Sequence, residues 1–243
     1  MAEQFVGRWV MDRALCSDLE AILKLQGLSW PLRKALCLAG LRLDISATRR
    51  EPDSSQGTDP REQIITVNAT VTGPPTGGLG GSTEVRKMDW SILEREDFLF
   101  GPLQEQSHFV YPKEGGDEHE STEKWKGVYP DVEMQTKVDD LRAGRFLRGE
   151  IIENGSESLW DLTGRKGGAE EEKGGKQERP VWVHTFVRNL RGNRWTAEQI
   201  WGFEVINGER CHTRRVVVAN TKGQYVLARL VYKHVGEEPE SKR

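Results

Sequence analysis

The alternation Leu41-Arg42-Leu43-Asp44-Ile45-Ser46 sets a period of two that the chain then repeats, with turns between the repeats, almost to its end. A strand that places every second side chain in a core and the others in water needs this pattern, and antiparallel neighbours supply it most simply. The rhythm predicts strands near 41–46, 62–71, 82–90, 96–111, 132–138, 145–153, 157–163, 180–189, 197–206, 209–219 and 223–235. Gly73-Pro74-Pro75-Thr76-Gly77-Gly78, Asn154-Gly155, Asn207-Gly208 and Lys222-Gly223 supply turn chemistry between them, and Asn207-Gly208 is the strongest hairpin signal. About ten short-linked strands without a second helical block close most economically into an up-and-down barrel, because closure removes exposed edges.

Helical spacing interrupts this pattern near the N-terminus. Ser17 with Asp18 and Glu20 marks a helix start, and Leu19, Ile22, Leu23 and Gln26 recur at helical spacing until Gly27. Pro31 opens a second helix, whose stripe Leu32, Ala35, Leu36 and Ala39 ends at Gly40 and needs something to cover. A helix pair over 17–39 between a Trp-bearing strand and the strand series suits a lid. Residues 113–124 and Gly164 to Gln177 are too polar to repay their ordering and read as flexible loops within one domain spanning 1–243.

The 243 residues carry 35 basic and 38 acidic side chains, so no global field draws the chain to nucleic acid or an anionic membrane. Cys16, Cys37 and Cys211 are too few and too scattered for a disulfide framework or a zinc site and read as reduced thiols. Without a leader or a long apolar span, the chain is expected in the cytoplasm. The sequons at Asn68 and Asn154 are then idle. Gly77-Gly78-Leu79-Gly80-Gly81-Ser82 lacks the lysine and following helix of a phosphate loop and reads as a turn, and Asp117-Glu118-His119-Glu120 reads as a solvated charge run. No metal and no cofactor is expected. Nucleophile-elbow, HExxH and dinucleotide fingerprints do not occur.

The opening Phe5-Val6-Gly7-Arg8-Trp9, the helix pair and the strand series resemble the fatty-acid-binding branch of the calycins, related to lipocalins. That resemblance implies a mainly β, antiparallel calycin-like barrel whose two-helix lid roofs a pocket for a hydrophobic small molecule. In such carriers an Arg-x-Tyr pair near the C-terminus grips a carboxylate. Here Arg229 and Tyr232 are three residues apart and face opposite sides, while Leu230 shares the face of Tyr232, so the clamp is broken and a more neutral ligand is expected. Trp195 through Phe203, the Asn207-Gly208 turn, Arg214-Arg215-Val216-Val217-Val218 and Leu230-Val231-Tyr232 are more closely similar to fungal calycin-like cyclases of secondary metabolism. Some of these are cofactor-free hetero-Diels-Alderases that join a tropolone quinone methide to a terpene alkene.

Eight tryptophans, at 9, 30, 90, 125, 160, 182, 195 and 201, offer flat apolar surfaces for a core or a pocket wall. Trp201 and Phe203 share a strand face with Trp195 and the amide of Gln199. In 181–188 one face carries Trp182, His184 and Phe186 and the other Val181, Val183, Thr185 and Val187. Neither suits water. One is expected inside, and the other under a loop, a helix or a second copy, so a homodimer is considered. His184 is the most attractive ionisable group, ahead of His108, His212 and His234. Arg214 is expected inside beside His212, polarising a carbonyl, with Arg215 in solvent. The expected donors are thus His184, Gln199, Arg214 and Tyr232, and the expected contact residues Trp9, Trp182, Phe186, Trp201 and Phe203. Two functions fit such a site: a cofactor-independent cyclase acting on a terpenoid or tropolone-type substrate, and a carrier that performs no chemistry.

Overall fold

The computed structural model describes residues 2–49, 63–72, 81–112, 127–162, 180–192 and 194–235. After a 3-10 turn at Ala2–Phe5 come β1 (Gly7–Met11), the lid helices α1 (Leu19–Leu25) and α2 (Trp30–Leu38), β2 (Gly40–Arg49), β3 (Gln63–Thr72), β4 (Ser82–Lys87), β5 (Leu93–Asp97) and β6 (Gly101–Val110). Then follow α3 (Leu141–Leu147), β7 (Trp182–Asn189), β8 (Thr196–Ile206), β9 (Glu209–Ala219) and β10 (Tyr225–Val235). All ten strands form one antiparallel sheet in the order β4-β3-β2-β1-β10-β9-β8-β7-β6-β5. Strands adjacent in sequence pair, β4 and β5 excepted, and β1 pairs with β10, which makes a nearly closed, calycin-like up-and-down barrel. Among the described residues the seam between β4 and β5 carries no ladder. There a single bridge, Asp89 with His108, reaches past β5 to β6.

The interior is layered. At one end Phe5, Trp9, Leu43, Ile45, Val67, Phe203 and Tyr232 belong to one apolar cluster. At the other, Ile22 of α1 packs with Leu103, Val187, Trp195, Ala197, Val216, Val218 and Ala228, so the lid helix closes its end by burying an apolar side chain among strand residues. Leu32, Ala35 and Leu36 of α2 are only half-buried, and Trp30 and Leu38 are exposed. Between the apolar ends lies a band of charged side chains from β4, β5, β6 and β9.

Three expected strands are not strands. Residues 132–138 are irregular, 145–153 overlaps α3, and of 157–163 the described residues, 157–162, contribute only the bridge of Glu157 with Ile151. Asp140 caps α3 by accepting from the Arg142 amide, and Ala143, Phe146 and Leu147 bury one face at helical spacing. The expected strand 96–111 divides into β5 and β6 at a turn before Gly101, whose φ of +73° favours glycine. The segment 127–162 folds onto the outside of the barrel: Val132, Phe146, Leu147, Ile151 and Trp160 cluster with Trp182, Ile200 and Val217. The face of β7 that raised the question of self-association is therefore covered by the chain itself. The expected loops 113–124 and 164–177, the turn at 73–78, Trp125 and the acidic run 117–120 lie outside the described residues. Among the described residues no helix is long and apolar enough to cross a membrane.

Candidate binding and active site inside the barrel

Register decides which side chains share the interior. Trp201 on β8 pairs with Arg214 on β9, which pairs with Leu230 on β10, and Tyr232 follows one step along beside His212. Period two then carries Gln199, Trp201 and Phe203 inward from β8, and His212 and Arg214 inward from β9. The guanidinium carbon of Arg214 lies 3.8 Å from the centre of the Trp201 ring and 5.4 Å from that of Tyr232. Its Nε donates to His212 Nε2 at 3.3 Å, while its Nη2 is buried with no hydrogen-bond partner. Trp201 Nε1 donates to the Gln199 side-chain oxygen at 3.1 Å.

The electrostatics follow from burial. Burial lowers the Arg214 pKa, with Tyr232 and Glu84 opposing that shift. His212 is pushed well below its usual range by burial and by the neighbouring arginine, so it stays neutral and accepts from Arg214. Tyr232 is pushed up to about 12 by burial, which keeps its hydroxyl protonated as a donor.

The opposing wall is ionic, and nothing in the sequence singled it out. Arg86 meets Glu84 at 2.5 Å and Glu105 at 3.6 Å, and Arg95 meets Glu105 at 3.0 Å, Asp97 at 2.8 Å and Glu84 at 3.5 Å. Burial opposes ionisation of Glu84, but Arg86, Arg95 and Arg214 hold its carboxyl below the ordinary range. These contacts link β4 to β5 and β6 across the seam that has no backbone ladder. The Arg86 guanidinium also lies 5.2 Å from the Trp201 ring, so two cations converge on one indole. Among the described residues the acids of this wall pair with Arg86 and Arg95, and none pairs with Arg214. Glu84 and Arg95, on either side of the seam, point inward and keep 20% and 21% of their side-chain surface accessible.

The structure brings together Gln199, Arg214, Tyr232 and Trp201 in the middle of the interior. Trp9 and Phe203 stand at its floor, with ring centres 5.7 Å apart, beside Phe5 and His212. Trp182, His184 and Phe186 point to the other side of β7 and do not reach this group, because Val183 and Thr185 are the residues turned inward. His184 lies instead in an outer chain: its Nδ1 is 2.9 Å from His108 Nε2, and its Nε2 is 2.8 Å from Glu198, which accepts the amides of Gln135 and Thr136. Arg215, expected in solvent, is fully buried under 127–162. It pairs with Glu204 at 3.1 Å and donates to the Phe146 and Ile151 carbonyls and to Ser158. Arg229 faces outward to Glu204, as the broken clamp required, while Arg214 reaches Tyr232 from the neighbouring strand. A separate cavity of about 540 Å³ lies beside α1, lined by Ala21, Lys24, Leu25, Arg194, Lys222 and Tyr225 among others.

The chain is thus a calycin-like antiparallel barrel with lid helices, a charged interior band and an aromatic-backed arginine. It is 27% identical over 235 residues, 97% of its own length and 92% of the relative's, to a protein of Mollisia scopiformis named "Probable pericyclase scpY". No family model matches it. Similar solved structures include lipid binding protein 8 of Caenorhabditis elegans (10% identity, 97% of this chain and 98% of that one, TM-score 0.45) and the fluorescent protein UnaG (12%, 97% and 100%, 0.45). A fatty-acid-binding protein from Drosophila melanogaster brain follows (10%, 94% and 98%, 0.41).

Proposed function

We propose that the chain is a cofactor-independent pericyclase that binds a hydrophobic, oxygenated substrate inside the barrel and promotes its cyclisation, with a hetero-Diels-Alder addition between a tropolone-type component and a terpenoid alkene as the particular reaction. The observation that carries this reading is Arg214: a buried guanidinium held on an indole face, with one nitrogen lacking a partner. The full-length similarity to a protein named as a pericyclase supports the same class.

A concerted cycloaddition moves electrons in a ring and requires no proton shuttle. A protein accelerates it by holding the two components in a reactive pose and by stabilising charge that builds on the electron-poor partner. Trp201 offers a flat surface on which a conjugated ring can lie, and Arg214 Nη2 and the Tyr232 hydroxyl offer hydrogens to its carbonyl oxygen. That polarisation lowers the barrier, since each kcal/mol of selective stabilisation is worth about a fivefold rate gain.

Purified protein supplied with a quinone-methide precursor and a terpenoid alkene is expected to raise the rate and fix the stereochemistry of the adduct. Arg214→Gln and Tyr232→Phe are expected to lose most of both. Tight binding with an unchanged rate and product ratio would identify a carrier instead.

A further inference from the structure

Among the buried polar atoms of the inner wall that lack a hydrogen-bond partner are Arg86 Nε, Glu105 Oε1, Thr185 Oγ1 and Arg214 Nη2, with His212 Nδ1 nearer the floor. The residues of the first four are 4%, 2%, 0% and 7% exposed. They are not scattered. Glu105 and Ser107 share the inward face of β6, Ser107 pairs in register with Thr185 on β7, and Thr185 pairs with Gln199 on β8, two residues from Trp201. Arg86 closes the group, its Nη1 lying 3.5 Å from Ser107 Oγ and 3.6 Å from Glu105 Oε2.

Folded chains rarely bury such atoms unmatched, because each loses its water without replacement. Arg214 Nη2 donates and the Glu105 carboxylate oxygen accepts, so a guest matches the first with an acceptor oxygen and the second with a hydrogen-bond donor. Glu105 Oε2 is taken by Arg95 at 3.0 Å, which fixes the carboxylate and leaves Oε1 available. The geometry points to a second subsite, built by Glu105, Thr185 and Arg86, that receives a hydroxyl group of the guest while Arg214 receives its carbonyl oxygen. The guest is then a hydroxylated conjugated ketone, not a plain hydrocarbon or a fatty acid. This inference rests on the interior being the substrate site and adds the substrate's functional groups to it.

Such a subsite discriminates by leaving its own polar atoms unmatched when the hydroxyl is missing. Its test is the titration of tryptophan fluorescence with a hydroxytetralone and with tetralone, its deoxy parent. Wild-type protein is expected to prefer the hydroxylated probe by about tenfold, a ratio typical of one buried hydrogen bond to a charged group. Thr185→Val and Glu105→Gln are expected to bring the ratio to within about twofold while tetralone affinity is retained. Thr185→Val keeps the side-chain shape and so remains informative if the Glu105 variant folds poorly. Equal binding of both probes, binding of neither, or a preference unchanged in both variants would overturn the subsite. A preference that behaves as expected without any accelerated cyclisation would leave the subsite standing and remove the cyclase reading.

Discussion

The guanidinium of Arg214 stacks on the indole of Trp201, its direct neighbour across the β8–β9 ladder, with 3.8 Å from the guanidinium carbon to the ring centre. A buried cation without a carboxylate partner destabilises the fold through lost hydration, which the indole face offsets only in part. Arg214→Met is therefore expected to leave the urea midpoint unchanged or raised while lowering the cyclisation rate by about a hundredfold, the usual loss when a charge-stabilising donor is removed. A variant that loses stability and activity together would make Arg214 a structural residue.

Arg215, the next residue along, faces outward and has the opposite role. Its guanidinium ties the 127–162 segment to the barrel through the Phe146 and Ile151 carbonyls, Ser158 and Glu204. Arg215→Ala removes one member of this buried set and is expected to destabilise by about 3–5 kcal/mol. Amide exchange should rise first over 141–160. Uniform loosening of the whole chain, without that bias, would contradict the assignment.

The legibility of the fold follows the same division between faces. Strands with one apolar face, such as 41–46, show themselves by alternation. In β7 both faces are apolar, so parity alone left the choice open, and the more chemically inviting face, with Trp182 and His184, is the one turned away from the interior. What covers it comes from 127–162, whose helix α3 is dense in arginine and whose helical triad Ala143, Phe146 and Leu147 is short enough to pass for part of a strand. β4 reverses the usual pattern: Val85 is 43% exposed, while Glu84 and Arg86 point inward. No rule of period or polarity finds that arrangement, because it is stable only when Arg95 and Glu105 arrive from β5 and β6, across the open seam.

Glycine at 202 is required by packing and not by backbone conformation. A β-carbon there would meet the Trp160 ring at 2.6 Å and Trp182 Cδ1 at 2.8 Å. Gly202→Ala is expected to destabilise by about 1–3 kcal/mol, the typical range for overpacking. The denaturant midpoint measures this, and a midpoint equal to wild type would show that Trp160 moves aside freely.

The outer histidine chain sets a pH dependence. Burial, with repulsion from His184 added, pushes His108 from its ordinary 6.5 down to about 4. Between those values the unfolded chain binds a proton that the folded chain refuses, so unfolding becomes easier as pH falls. Stability is expected to be full above about pH 6.5, to decline as pH falls toward 4, and to gain no further loss from this group below that. His212 acts in the same direction. His108→Gln should flatten the decline. A decline of equal steepness in that variant would place the titration elsewhere.

The position of the guest is tested most directly by a crystal structure grown with a cycloadduct. The expected density lies inside the barrel, flat against the Trp201 indole, with an oxygen within hydrogen-bonding distance of Arg214 Nη2. Density confined to the cavity beside α1, among Lys24, Arg194 and Lys222, with the space around Arg214 unchanged, would contradict it.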